Sequence, residues 1–184
     1  MITSDAHEGI IQGIRRVFPD VPWQRCQFHF TRNIADKAPR KYQEGLRLEL
    51  NAMFQSIRIA DARKKRDAIL EDYADVAPQA MECLDLGFES AMTVFCLPES
   101  VRRLVRTSNY IERLNKELKR RSNAIGVFPN GDSIIRLMGS LLLEYHEKFQ
   151  AKRREFYQPT YEEILLQSEH LKQLANEQKQ YLAA

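Results

Sequence analysis

Apolar residues recur at three- and four-residue spacing along most of this 184-residue chain, which predicts a mainly α fold with one or two short strands. Met1–Thr3 reads as the stub of a strand. Asp5 followed by Glu8 is a helix-start signal, and Ile10, Ile11, Ile14 and Val17 give that helix an apolar face ended by Pro19. A second strand is expected at Trp23–Phe28, behind Pro22, with Trp23 and Phe28 in the core and a helix over His29–Lys37. From Arg40 to Met92 the period stays helical. Leu46, Leu50, Met53 and Phe54 form one apolar stripe, Ala62, Ile69 and Tyr73 a second, and Met81, Leu84 and Phe88 a third. Pro39, Pro78 and Pro98 punctuate this block.

A further helix is expected over Ser108–Asn123, ended by a turn in Ile125–Gly131. Asp132 or Ser133 can cap the next one, whose apolar face includes Ile135, Leu137, Met138, Leu141 and Leu142. After Gln150 the chain is strongly polar. A turn at Gln158-Pro159-Thr160 precedes a last amphipathic helix, Tyr161–Leu182. Tyr145, His146, Lys148, Arg153, Arg154 and Tyr157 mix basic and aromatic residues and read either as an exposed helix end or as phosphate contacts.

Composition adds little to the fold and more to the setting. Seven Gly and seven Pro are few for this length, which agrees with helices. No run of about 18 apolar residues exists, so a membrane span is excluded. The N-terminal MITSDAHEG has no basic and no long apolar region, so it does not read as a signal peptide. Cys26, Cys83 and Cys96 are odd in number and without framework spacing, which suggests reduced thiols in a cytoplasmic protein.

Charge changes the picture more. Between Arg102 and Asn123 eight Lys/Arg stand against two acids, a local net charge of +6 in a chain whose total is +3. Such a local stripe is the electrostatic footprint of a phosphate-backbone contact. Within it, Asn109, Glu112, Asn115, Lys116 and Lys119 share one polar face of a helix, while Ile111, Leu114 and Leu118 line another that can dock on a core. Glu112 is thus an acid inside the most basic segment. It can pair with Lys116 one turn on, or it can hold a metal ion beside a polyanion.

Two other motifs carry the same ambiguity. Asp5, in SDAHEG, can cap a helix through backbone N–H groups or hold a divalent cation at the end of a strand. Cys26-x-x-His29 lacks a second nearby pair for a structural zinc site and a third group for a nucleophilic pair, so burial of Cys26 as a small hydrophobe is the plainer reading.

Taken in order, SDAHEG, PWQRCQFHFTRN, a long helical block and TSNYIERLNKELKRRSNAIGVFPN resemble the bacterial insertion-sequence transposases of the Mutator type, over roughly Ile2 to Gln150. The resemblance implies a DDE nuclease on an RNase H-like fold, in which two Asp and one Glu hold two divalent ions, Mg2+ or Mn2+. By motif, Asp5 looks like the second acid and Glu112 like the third, while Cys26 and His29 match the family's C-x-x-H signature. The separation of 107 positions from Asp5 to Glu112 is similar to that of family members with an all-helical insertion there. The implied fold is a partial RNase H-like α/β core interrupted by that insertion. Its parts are residues 1–39 with the second acid and C-x-x-H, the insertion at 40–98, a return to the core at 99–150, and a polar helical tail at 151–184.

The family's first Asp lies upstream of SDAH, and no Asp here replaces it by motif. The chain is therefore expected to be a C-terminal fragment of a DNA-cleaving and strand-transferring enzyme, inactive alone. The other reading is a non-catalytic helical DNA-binding or regulatory remnant that binds DNA or full-length transposase. Arg106, Asn109, Arg113, Lys116, Lys119, Arg120 and Arg121 are the expected DNA contacts. Transposon ends and target DNA are the expected partners, beside a second copy or full-length transposase, in the cytoplasm at the bacterial nucleoid and with no membrane. Loss of the opening strands is expected to expose a sheet edge and apolar helix faces.

Overall fold

Two three-residue strands, β1 (Ile2–Ser4) and β2 (Trp23–Arg25), pair in parallel, with Ile2 opposite Trp23, Thr3 opposite Gln24 and Ser4 opposite Arg25. A parallel pair needs a crossover, and α1 (Glu8–Val17) supplies it. The structure, a computed structural model, describes residues 1–156 and 168–181, the side chains of 149, 151–156, 168, 180 and 181 excepted. It is mainly helical. Met1–Ser108 with Leu166–Ala184 form one compact unit, and Asn109–Leu165 form a second.

In the first unit, α2 (Gln27–Asp36), α3 (Arg40–Phe54), α4 (Ile59–Asp72) and α5 (Pro78–Met92) enclose the core. The stripes expected from the sequence meet there: Leu46, Leu50, Met53 and Phe54 from α3, Ala62 and Ile69 from α4 with Tyr73 just beyond it, and Met81, Leu84 and Phe88 from α5. Pro39 precedes α3, Pro78 opens α5 and Pro98 precedes α6 (Glu99–Val105). Proline suits these places because a helix start has no use for its missing N–H.

Two buried amides close the end of α5. Gln24 Nε2 donates to the Ala91 carbonyl at 2.7 Å, Gln24 Oε1 accepts from the Val94 N–H at 2.6 Å, and Gln27 Nε2 donates to the same Ala91 carbonyl at 2.9 Å. They hold the 3-10 turn Thr93–Cys96 that leads to α6. Buried polar groups in a core are for the most part bonded in this way.

The β2 region corrects the sequence expectation. The strand ends at Arg25 and α2 begins at Gln27, two residues before the expected start at His29. Periodicity accounts for this, because Gln27, Phe30 and Ile34 share the inner helical face and are buried, whereas Phe28 falls outside it and is 52% exposed. Trp23 is buried, as expected of it. The first helix begins at Glu8, with His7 as N-cap and no side-chain cap bond, so Asp5 is not its cap. Its apolar face is only partly covered. Ile10 and Val17 are exposed, while Ile11 and Ile14 line a small hollow with Trp23 and with Ala175 of α9 (Ser168–Tyr181).

The same α9 covers an edge of the sheet. Gln178 Oε1 accepts from the Trp23 N–H at 2.8 Å and Gln178 Nε2 donates to the Trp23 carbonyl at 2.9 Å, as a neighbouring strand would do. β2 is thus capped on the side away from β1, whereas β1 is paired on one side only among the described residues.

The second unit holds α7 (Asn109–Ile125) and α8 (Gly131–Phe156), which pack on each other. Gly126, at φ +75°, takes the left-handed conformation that ends α7 without a Cβ penalty. Asn130 caps α8, its Oδ1 accepting from the Ser133 N–H at 2.9 Å, in place of the expected Asp132 or Ser133. Leu141 is the buried member of the expected α8 stripe. Ile135 and Leu142 are exposed, and so is Ile111 of α7, whose residues are nowhere fully buried. Tyr145, His146 and Lys148 lie exposed on α8, but the side chains of Arg153 and Arg154, Tyr157, the turn at 158–160 and residues 161–167 of the expected last helix lie outside the described residues. No described helix is long and apolar enough to cross a membrane.

Candidate functional site

Parallel pairing sends both strands out of the sheet at the same end, and Asp5 and Cys26 are the residues that follow β1 and β2 there. The end of β1 is fixed by its own side chains. Trp23 Nε1 donates to Ser4 Oγ at 2.9 Å, and Ser4 Oγ donates to the Asp5 carbonyl at 2.8 Å. Asp5 is half-buried, and its Oδ1 accepts from the His7 N–H at 3.3 Å. Its second carboxylate oxygen has no partner among the described residues. Carboxyl ends of parallel strands are where α/β proteins bind ligands.

The segment that leads into α7 is tied to the same strand ends. Thr3 Oγ1 donates to the Val105 carbonyl, and the Gln27 N–H donates to the Arg106 carbonyl at 3.0 Å. Cys26 Sγ accepts from both the N–H and the hydroxyl of Ser108, each at 3.3 Å. Cys26 is fully buried, and His29, half-buried in the first turns of α2, stands edge-on to Phe28 at 5.5 Å. Among the described residues no three His, Cys, Asp or Glu side chains gather into a metal-holding group. Burial pushes the Cys83 thiol up, and that of Cys96 up to about 11, so both stay neutral at physiological pH.

Asp5 belongs to the first unit and Glu112 to the second. Glu112 stands exposed in the first turn of α7, where the helix dipole favours a carboxylate. Asn109, Arg113, Lys116, Lys119, Arg120 and Arg121 are exposed or half-buried on the same helix, and Arg106 is half-buried before it. Two of these cations are engaged. Arg120 grips Glu117 through Nη2 at 2.6 Å and Nε at 2.8 Å, and Arg121 Nε reaches the same carboxylate at 2.9 Å. Arg102, counted in the basic stripe, also serves the fold, since its guanidinium donates to the carbonyls of Leu97, Phe95 and Ile57 and lies 4.7 Å from the Phe95 ring centre.

The hydrogen bonds from Arg120 and Arg121 hold the Glu117 carboxyl far below its ordinary 4.5, at about 2. A depressed carboxylate stabilises the fold above its unfolded value and loses that contribution as pH falls towards its folded value. The pair is therefore expected to hold at pH 7 and to weaken between about 4.5 and about 2. A carbon-13 NMR titration of the Glu117 carboxyl checks this, and a midpoint near 4.5 contradicts it.

Sequence reasoning did not find Ser108, Gln24, Gln27 or Gln178. Each acts on residues 64 to 155 positions away, and no local period marks them.

The comparisons with known proteins agree with the motif order. Residues 1–152 match the family model described as Transposase, Mutator family. The transposase for insertion sequence element IS256 in transposon Tn4001 of Staphylococcus aureus is 37% identical over 158 residues, 85% of this chain and 40% of that protein. The transposase for ISRM5 of Rhizobium meliloti is 32% identical over 154 residues, 84% of this chain and 39% of its own length. That for IS1081 of Mycobacterium tuberculosis is 31% identical over 154 residues, 84% of this chain and 37% of its own. The chain spans about two-fifths of the length of these relatives. It belongs to the Mutator family of transposases.

Proposed function

We propose that this chain supplies two of three metal-binding carboxylates, Asp5 and Glu112, to a DDE transposase that cleaves DNA and transfers strands on an RNase H-like core. The observation that carries this reading is the Asp5 carboxylate at the carboxyl end of a parallel strand, not used as a helix cap and with one oxygen unbonded among the described residues. The parallel β1–α1–β2 unit supports the RNase H-like part. The donor set fits Mg2+ or Mn2+, which take carboxylate oxygens together with substrate phosphate.

Two divalent ions, when bound, activate the attacking oxygen and stabilise the leaving oxygen of an in-line phosphodiester displacement. The chain's own residues do the rest. Asp5 and Glu112 hold the ions, and Arg113 and Lys116 neutralise phosphate charge. Arg106, Asn109, Lys119, Arg120 and Arg121 follow the backbone of transposon-end or target DNA. Water as nucleophile gives nicking and a DNA 3′-hydroxyl gives strand transfer, so no protein nucleophile is required. Partners in this reading are DNA and further transposase copies.

Mn2+ titration of the 184-residue chain, followed by electron paramagnetic resonance, tests the site. Affinity is expected to fall about tenfold or more in Asp5→Asn and in Glu112→Gln, as the loss of a charged ligand requires. Equal affinity in wild type and both variants removes the metal reading and leaves a DNA-binding protein without a catalytic site.

A further inference from the structure

We infer that Cys26 is a positioning residue, whose sulfur fixes Ser108, the residue from which the Glu112 helix departs. In functional terms this rests on the reading of Glu112 as a metal ligand, although the tether itself does not. Four bonds converge on four residues of chain, one from Thr3 to the Val105 carbonyl, one from the Gln27 N–H to the Arg106 carbonyl, and two from Ser108 to Cys26 Sγ. The first two hold only backbone carbonyls of the departing segment. Cys26 takes both donors of a single residue, the N–H and the hydroxyl of Ser108, each at 3.3 Å.

The sulfur suits this place for physical reasons. It is fully buried at the turn between β2 and α2, where a sulfur is tolerated as a small hydrophobe. It can also accept weakly from two donors, which the half-buried Ser108 supplies. Because Cys26 follows β2 directly and Asp5 follows β1, the tether holds Ser108 at the sheet end that carries Asp5. Alanine at 26 removes the acceptor and leaves the rest of the sheet end intact. Serine restores an acceptor with shorter reach.

Amide hydrogen exchange followed by NMR on the full chain reads the tether. In Cys26→Ala the Ser108 amide is expected to exchange about threefold faster, the factor at the low end of net hydrogen-bond strength, as suits a weak sulfur acceptor. Leu50 and Leu84, in the core of α3 and α5, are expected to keep their rates, and Cys26→Ser to recover part of the Ser108 protection. Mn2+ affinity in Cys26→Ala is expected to fall to the level of Glu112→Gln, while Cys83→Ala, which removes another thiol of the same unit, leaves it unchanged. An unaltered Ser108 rate overturns the inference, and so does acceleration spread equally over Leu50 and Leu84. If Glu112→Gln weakens Mn2+ binding and Cys26→Ala does not, the positioning role fails while the metal reading stands. If neither Asp5→Asn nor Glu112→Gln weakens it, the metal reading fails, and the exchange rate of Ser108 alone decides the tether.

Discussion

Replacing Phe30 by alanine is expected to destabilise the first unit by about 3–5 kcal/mol, the usual range for removing a buried aromatic side chain. Phe30 is 1% exposed and stands where α2 meets its neighbours. Its ring centre lies 6.3 Å from that of Phe54 on α3, and the Arg25 guanidinium sits 5.1 Å from it on another side. Against α5 the fit is closer still. A Cβ on Gly87 would come within 2.3 Å of Phe30 Cε2, so glycine is what lets α5 approach the ring. Little in this packing can collapse into the space an alanine would leave.

Gly87→Ala acts on the same packing from the other side. Overpacking costs about 1–3 kcal/mol, because neither a buried ring nor a helix backbone gives way easily. Touching residues do not act additively, so the double variant is expected to lose less than the two single losses combined. Urea unfolding measures all three, as a lower midpoint at unchanged slope. A midpoint for Phe30→Ala within error of wild type would show that the ring is not packed as described.

The second large effect concerns DNA. Replacing Arg113, Lys116 and Lys119 together by alanine is expected to lower the slope of log K against log salt by about 2.7, at about 0.9 for each phosphate no longer neutralised. Wild type then loses about 40-fold more affinity than the variant between 50 and 200 mM salt, on the order of what three phosphates imply. These three are chosen because they lie on α7 and stand apart from the Glu117 cluster. Arg120 and Arg121 share the carboxylate of Glu117, so their replacement is expected to change the slope less. Fluorescence anisotropy with a labelled duplex at several salt concentrations provides the measurement. Identical slopes for wild type and the triple variant would sink the basic-face reading of α7.

Much of the helical architecture was legible because helical burial is written in a local period. The inward residues of α3, α4 and α5 follow three- and four-residue spacing, and all of those named from the sequence are in the core. The ends of elements were less legible. Trp23–Phe28, bounded by Pro22, is short enough to pass for one strand, but Phe28 goes to solvent once α2 starts at Gln27. Asp5 and Glu8 satisfy a helix-start signal that the backbone places two residues later, at His7. Local rules rank such starts almost equally, and the tertiary fold chooses among them.

For the candidate site, the motif order named Asp5, Cys26, His29 and Glu112, and charge counting named the basic helix. The bonds around them were not legible. Nothing near Ser108 announces that it faces a sulfur 82 residues earlier, and nothing near Gln178 announces that its amide completes the edge of β2, 155 residues away. Arg102 counts as one more positive charge in the sequence, yet its guanidinium is spent on three carbonyl groups.

The sequence by itself determined the helical class, the packing stripes of the central helices, the family and the residue types available for chemistry, because these depend on periodicity and on motifs a few residues long. Only the tertiary structure decided which polar groups are engaged. It turned Asp5 from a helix cap into a carboxylate with an open oxygen, and it gave Cys26 the two donors of Ser108. Hydrogen bonds and ion pairs form between whichever groups the fold brings within about 3 Å, and distance along the chain does not encode that proximity.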